Sequence, residues 1–234
     1  VHGWYGIITT FNEFDEFFEE DGIPYFSVLL LGQGSIEQNA ILLNAEIENY
    51  LATSCYDKVN ILAHSKGGLD SRAYLRRFGG SKVGTFVQLG TPNHGSILAD
   101  AVLTILTHGN FVQRAAVASA VGTSLNDNAL RNLTTPFIET QFNYAYYQLA
   151  NNLLIVPRYT EAFSGVDAHI YAGTEEGALF SVANWYANHF GFFLEEPSDG
   201  IVSVASASLP WNCSDSYLDG VLNSASVDGQ GPFN

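Results

Sequence analysis

The sequence predicts an α/β protein, a mostly parallel sheet with helices on both faces, and three observations carry that expectation. Apolar strand-like runs alternate with helix-periodic stretches through the first half of the 234-residue chain. Strand signals vanish from about residue 97 to 160, where apolar helix-like stretches take over. They resume at A-H-I-Y-A (168–172) and I-V-S-V-A (201–205). A βαβαβ order implies parallel strands with crossover helices packed on the sheet.

Each element has its own signal. Residues 11–20, F-N-E-F-D-E-F-F-E-E, set Phe11, Phe14 and Phe18 at helical spacing beside acidic residues, and Gly22 with Pro24 ends that helix. Y-F-S-V-L-L-L (25–31) reads as a buried strand. Ile36, Ala40, Leu43, Ile47 and Leu51 mark one face of a helix. V-N-I-L-A (59–63) is the next strand, and Leu69, Ala73 and Leu75 follow on a helix that stops at Gly79-Gly80. V-G-T-F-V-Q-L (83–89) is another strand. The helical insertion at about 97–160 is a candidate lid or cap over the sheet, with structural packing as the plainer alternative. One domain spanning 1–234 fits the length.

Composition narrows the function classes. Hydrophobic residues make up 47% and charged residues 14%, as in a globular protein, and no window approaches the roughly 20 apolar residues of a membrane span. A net charge of -15 argues against nucleic acid or anionic membrane as partners and suits a neutral ligand. Cys55 and Cys213 could form one disulfide, which would favour an oxidising compartment, or remain two separate thiols. Sequons at Asn132-Leu-Thr and Asn212-Cys-Ser permit glycosylation, and an Asn-, Ser- and Thr-rich chain also produces such matches by chance.

The chemistry gathers around Ser65. Ala63-His64-Ser65-Lys66-Gly67 has a small residue two before the serine and a glycine two after it, between a strand and a helix. That is the requirement of a nucleophile elbow, a strained turn in which larger side chains collide with neighbouring backbone. V-H-G-W-Y-G at the start looks like the end of a strand entering a tight loop. With such a loop beside the serine, the amides of Trp4 and Lys66 would form the oxyanion hole, and His2 would be structural. In P-S-D-G-I-V-S-V-A-S-A (197–207), Asp199 fits the acid in the chain order Ser, Asp, His, although a D-G dipeptide also makes turns.

With these residues in view, the chain resembles the bacterial triacylglycerol lipases of the α/β-hydrolase superfamily. Four segments carry the likeness in order: V-H-G-W (1–4), N-I-L-A-H-S-K-G-G-L-D-S-R (60–72), G-T-P-N-H-G-S (90–96) and S-D-G-I-V-S-V (198–204). A-L-R-N-L-T-T (129–135), within the insertion, is similar too. The resemblance implies an α/β-hydrolase fold with a helical lid and a secreted, extracellular enzyme. It implies cleavage of neutral acylglycerol-like esters through an acyl-serine intermediate, with peripheral contact at a lipid interface. No cofactor is required; a structural calcium, with Asp228 as a contributor, is the one ion the resemblance suggests.

The histidines are His2, His64, His94, His108, His169 and His189, and none follows Asp199. The family places its base there; Asp228-Gly229 aligns with that Asp-His pair and puts glycine at the base position. His64 neighbours the nucleophile but should point away from it, His94 should hold its loop, and His189 is the best internal substitute. V-H-G also closes a strand of which one residue is present, and the chain has no methionine. The expectation is a sequence trimmed at its N-terminus, with a base beyond Asn234 if the other end is trimmed as well. The alternative is a catalytically inactive homologue that binds lipid or protein or builds an extracellular structure.

Overall fold

The structure, a computed structural model, describes residues 1–4, 11–143, 165–173 and 201–208. Its centre is a parallel sheet of β1 (Val59–His64), β2 (Val83–Leu89) and β3 (Asp167–Tyr171), in that spatial order. On the free side of β1, the Val1 amine donates to Leu62 O at 2.6 Å and Val1 O accepts from the His64 N–H at 3.0 Å. This bracketing of Ala63 is the parallel-ladder pattern, so V-H-G does meet the sheet as a strand end.

Helices flank the sheet. They are α1 (Asn12–Glu20), α2 (Ile36–Thr53), α3 (Lys66–Phe78), α4 (Ile97–His108), α5 (Phe111–Val121), α6 (Asn128–Leu133), α7 (Thr135–Phe137) and α8 (Val204–Ala207), with a π-helical turn at Ile138–Phe142. Helix α2 begins at a reciprocal cap: Ser35 Oγ accepts from the Gln38 N–H, and the Gln38 side chain accepts from the Ser35 N–H. Its predicted face is the buried one at Ile36, Ala40, Leu43 and Ile47, while Leu51 is half-buried. Helix α3 ends at Gly79, whose φ of 81° only glycine adopts at little cost. From 97 to 142 the chain is mostly helical, and the rest of the expected 97–160 insertion, from 144 onward, lies outside the described residues.

Two predicted strands are not strands. Residues 25–31 alternate correctly, with Val28 and Leu30 buried, yet form no ladder among the described residues. Side chains take their donors instead: the Leu30 N–H goes to His2 Nε2 and the Leu31 N–H to Asn39 Oδ1. Residues 201–205 turn into α8, because Ser203 Oγ accepts the Ser206 N–H at 3.1 Å and caps a helix.

Candidate active site

Ser65 stands at the C-terminal end of β1, where parallel sheets present their ligand sites. Its φ of 52° and ψ of -127° make it the one non-glycine residue with positive φ among the described residues. Such a conformation costs a residue with a Cβ on the order of 1–3 kcal/mol and persists only where its surroundings enforce it. Here the Ser65 N–H donates to Leu89 O, the Gly68 N–H donates to Ser65 O, and three glycines admit close backbone approach. A Cβ on Gly67 would lie 2.5 Å from His2 O, and one on Gly68 would lie 1.9 Å from Thr91 Oγ1. One on Gly3 would lie 2.8 Å from Ser65 Cβ and 3.2 Å from Ser65 Oγ, so the serine hydroxyl faces the 1–4 loop.

That loop is fixed by His2. The buried imidazole has Nδ1 2.9 Å from Gly3 O, while Nε2 accepts from the Leu30 N–H at 3.1 Å. Nδ1 must therefore carry the proton, and burial pushes the pKa down, keeping the ring neutral. Both nitrogens are engaged, as expected of a structural residue. Trp4 follows; its indole Nε1 donates to Asp127 Oδ2 at 3.0 Å. The Lys66 N–H opens α3, so it has no intrahelical acceptor, and it makes no hydrogen bond among the described residues. The Lys66 side chain points inward: Nζ donates to Asp70 Oδ1 at 2.7 Å, and Asn39 Nδ2 donates to Asp70 Oδ2 at 2.8 Å. Burial pushes the Asp70 carboxyl up to about 6 against the pull of Lys66 and Asn39, which leaves it ionised at neutral pH.

A polar cluster that the sequence did not reveal joins α3 to the loop after β2. The fully buried Arg72 guanidinium donates to Asn93 Oδ1 and Asn143 Oδ1 and lies over the Phe142 ring at 4.9 Å. Asn93 Nδ2 donates to Gln88 Oε1 and to Ala207 O, both at 2.7 Å. The π turn brings Asn143 round to the cluster, where its Nδ2 donates to Asn93 O. The arginine in G-G-L-D-S-R, placed on the inward face of α3, was the available clue. Further bonds strap residues 201–207 to this loop: Ser96 Oγ donates to Ile201 O, and the His94 N–H donates to Ser206 O. Asp199 lies two residues before that strap, outside the described residues, as do His189, Cys213, Asn212 and Asp228.

Of the described histidines, His2, His94 and His169 are hydrogen-bonded elsewhere. His94 Nδ1 pairs with Glu139 Oε1 at 2.6 Å, and His169 Nε2 with Asp167 Oδ2 at 3.0 Å. His108 is exposed at the end of α4. Burial, helped by the terminal amine, pushes His64 down to about 4. Ser65 Oγ forms no hydrogen bond to any of them. Among the described residues no three His, Cys, Asp or Glu side chains converge to hold a metal ion. Cys55 is exposed, and Asn132 of the first sequon is half-buried with its Oδ1 accepting the Ile36 N–H.

No protein-family model matches the chain. It is 28% identical over 127 residues to a triacylglycerol lipase of Vibrio cholerae, covering 52% of this chain and 40% of that one. It is 34% identical over 106 residues to a triacylglycerol lipase of Burkholderia plantarii, covering 40% and 29%. The chain thus spans well under half the length of these curated relatives. In structure it is similar to the mature form of Bacillus licheniformis lipase BlEst2, with a TM-score of 0.67 and 25% identity over 90% of this chain and 78% of that one. The phospholipase PlaB of Legionella pneumophila shares the fold at a TM-score of 0.58 and 17% identity, over 89% of this chain and 44% of that one.

Proposed function

Starting from the α/β-hydrolase fold that the chain shares with bacterial lipases, we propose that it hydrolyses carboxylic esters, with acylglycerol-like lipids as substrates. The observation that carries this reading is Ser65 held at φ 52° between β1 and α3, its Oγ against the 1–4 loop. Nothing in packing needs a strained serine there; an exposed nucleophile does.

In the proposed reaction Ser65 Oγ attacks the ester carbonyl carbon while a histidine takes its proton. The Trp4 and Lys66 amides hold the resulting oxyanion, which two aligned donors stabilise by several kcal/mol. The carbon–oxygen bond to the alcohol breaks, and the histidine returns the proton to the departing oxygen. Water then attacks the acyl-serine by the same route, releasing the acid. Asp199 orients the histidine. His2, His94 and His169 are engaged elsewhere, His64 is pushed down to about 4, and no described histidine is bonded to Ser65 Oγ. We therefore assign the base to a residue outside the described ones: His189, or one that follows Asn234 in a longer protein. The helical stretch from residue 97 serves as the lid, a reading supported by Phe111 and Val112 at the start of α5, which are 86% and 73% exposed. The protein would work outside the cell on a lipid surface.

Labelling of the natively isolated protein with a fluorophosphonate probe, with peptide mapping and intact mass on the same sample, tests this. Label on the Ser65 peptide, absent in Ser65→Ala, is the expected result. An unlabelled protein in which no histidine follows Asp199 would sink the hydrolase reading and leave a binding protein on a hydrolase fold.

A further inference from the structure

We infer that Asp127 is a positioning residue: by holding the Trp4 indole, its carboxylate fixes the Trp4 backbone amide beside Ser65. The inference rests on the reading of Ser65 as nucleophile and of that amide as an oxyanion donor. Asp127 is 2% exposed and stands at the head of α6, on the insertion, far from Trp4 in sequence. Its two oxygens are divided. Oδ1 accepts the Leu130 N–H at 3.0 Å and caps the helix. Oδ2 is surplus to the cap, and it accepts from Thr123 Oγ1 at 2.8 Å and from Trp4 Nε1 at 3.0 Å. Asparagine caps helices as well as aspartate does. It brings only one acceptor oxygen, however, and among the described residues the donors of Leu130, Thr123 and Trp4 all converge here. The carboxylate is what lets one residue serve the cap and the indole together.

Its position explains why the indole needs holding. Gly3 is so close to Ser65 that a single added carbon would collide with it. The amide of the next residue therefore has little room for error, since displacement of about 1 Å at a reacting centre costs on the order of 10²-fold in rate. His2 clamps the loop before Gly3 through its two ring nitrogens. The Trp4–Asp127 bond clamps it after Gly3, from a different part of the chain. Trp4 also packs, partly buried, against the main core.

The test uses the natively isolated full-length protein and Asp127→Asn, Trp4→Phe and the double variant. Asp127→Asn keeps an acceptor for the cap and withdraws one from the indole; Trp4→Phe breaks the same bond from the other end. For a p-nitrophenyl acyl ester, each single variant is expected to lose about 10–100-fold in kcat with KM changed less than about threefold. That is short of the 10²–10³ typical for outright loss of an oxyanion donor. The double variant should be no worse than the single ones, because one bond is removed in all three. The NMR order parameter of the Trp4 amide should fall from about 0.85 toward 0.6. Wild-type kcat with a lowered Tm, a rise in KM alone, or additive losses in the double variant would overturn the inference. If wild-type protein fails to label with fluorophosphonate, the hydrolase reading fails by itself. The order parameter then decides the latch, and an unchanged value in Asp127→Asn rejects it.

Discussion

Ser65 carries a conformational cost that its backbone bonds to Leu89 and Gly68 enforce. At φ 52° a glycine sits more comfortably than any residue with a side chain, so Ser65→Gly should stabilise the fold. Relief of about 1–3 kcal/mol of strain, less about 0.5–1 kcal/mol for the added freedom of the unfolded chain, leaves a net gain of about 1 kcal/mol. Urea unfolding checks this; the same variant should lose all fluorophosphonate labelling. A variant no more stable than wild type would mean the turn stores no strain. The serine was legible because the elbow imposes residue size on both sides of it, and Ala63 and Gly67 meet that demand. Arg72, Asn93, Asn143 and Asp127 were not, since each acts through at least one hydrogen bond to a partner remote in sequence, and such pairings leave no local pattern.

The elements differ in what holds them. Helix α3 buries every residue from Lys66 to Leu75, including a Lys66–Asp70 pair that would be expensive without its mutual bonds. Helix α5 buries none. It is held by the Asn110–Gln113 reciprocal cap at one end, by Gly122, at φ 69°, at the other, and by half-buried Val117, Ala118 and Val121 packed against the core between them. Caps stabilise a helix of 11 residues by only about 1 kcal/mol each. Amides of α5 should therefore exchange with solvent far faster than those of α3 in a hydrogen-exchange experiment, and limited proteolysis should cut first near Phe111. Equal protection in the two helices would contradict this picture. Elements whose apolar face meets the core, β1, β2, β3, α2 and α3, were readable from period alone. The runs at 25–31 and 201–205 misled because their apolar content is strand-like, while the fates of their backbone donors depend on His2, Asn39 and the Ser203 cap.

At the scale of the molecule, buried His2 and half-buried His64, both neutral, shape the response to acid among the described residues. His64 is pushed down to about 4 and His2 is lowered in the same direction, both first by burial. An unfolded chain takes up protons on them near pH 6.5, before the folded one does. Their contribution is thus complete above about pH 6.5 and is lost as pH falls toward 4. Asp70, raised to about 6, acts in the opposite sense at the lower end of that window, so the decline should be clearest between pH 6.5 and 6. The urea midpoint should accordingly drop on acidification from pH 7, and the His64 ring protons should hold their NMR shifts down to about pH 5. A His64 midpoint near 6.5 would show the ring to be hydrated.

The strap between residues 93–96 and 201–207 is built asymmetrically. On one strand of it Asn93 and Ser96 contribute side chains; on the other, Ile201, Ser206 and Ala207 contribute carbonyl oxygens and Ser206 alone adds a side chain, its Oγ donating to Gly95 O. Every residue type carries a carbonyl, so the lineage is free to rewrite much of 201–207 provided the chain path, the Ser206 hydroxyl and the small buried Ala207 survive. It has no such freedom at 93–96. A deep mutational scan should therefore show a lopsided footprint, intolerant at Asn93 and Ser96 on one side and at Ser206 on the other, and permissive at exposed Ala205, so most of the segment that follows Asp199 can drift in sequence while its partner loop stands still.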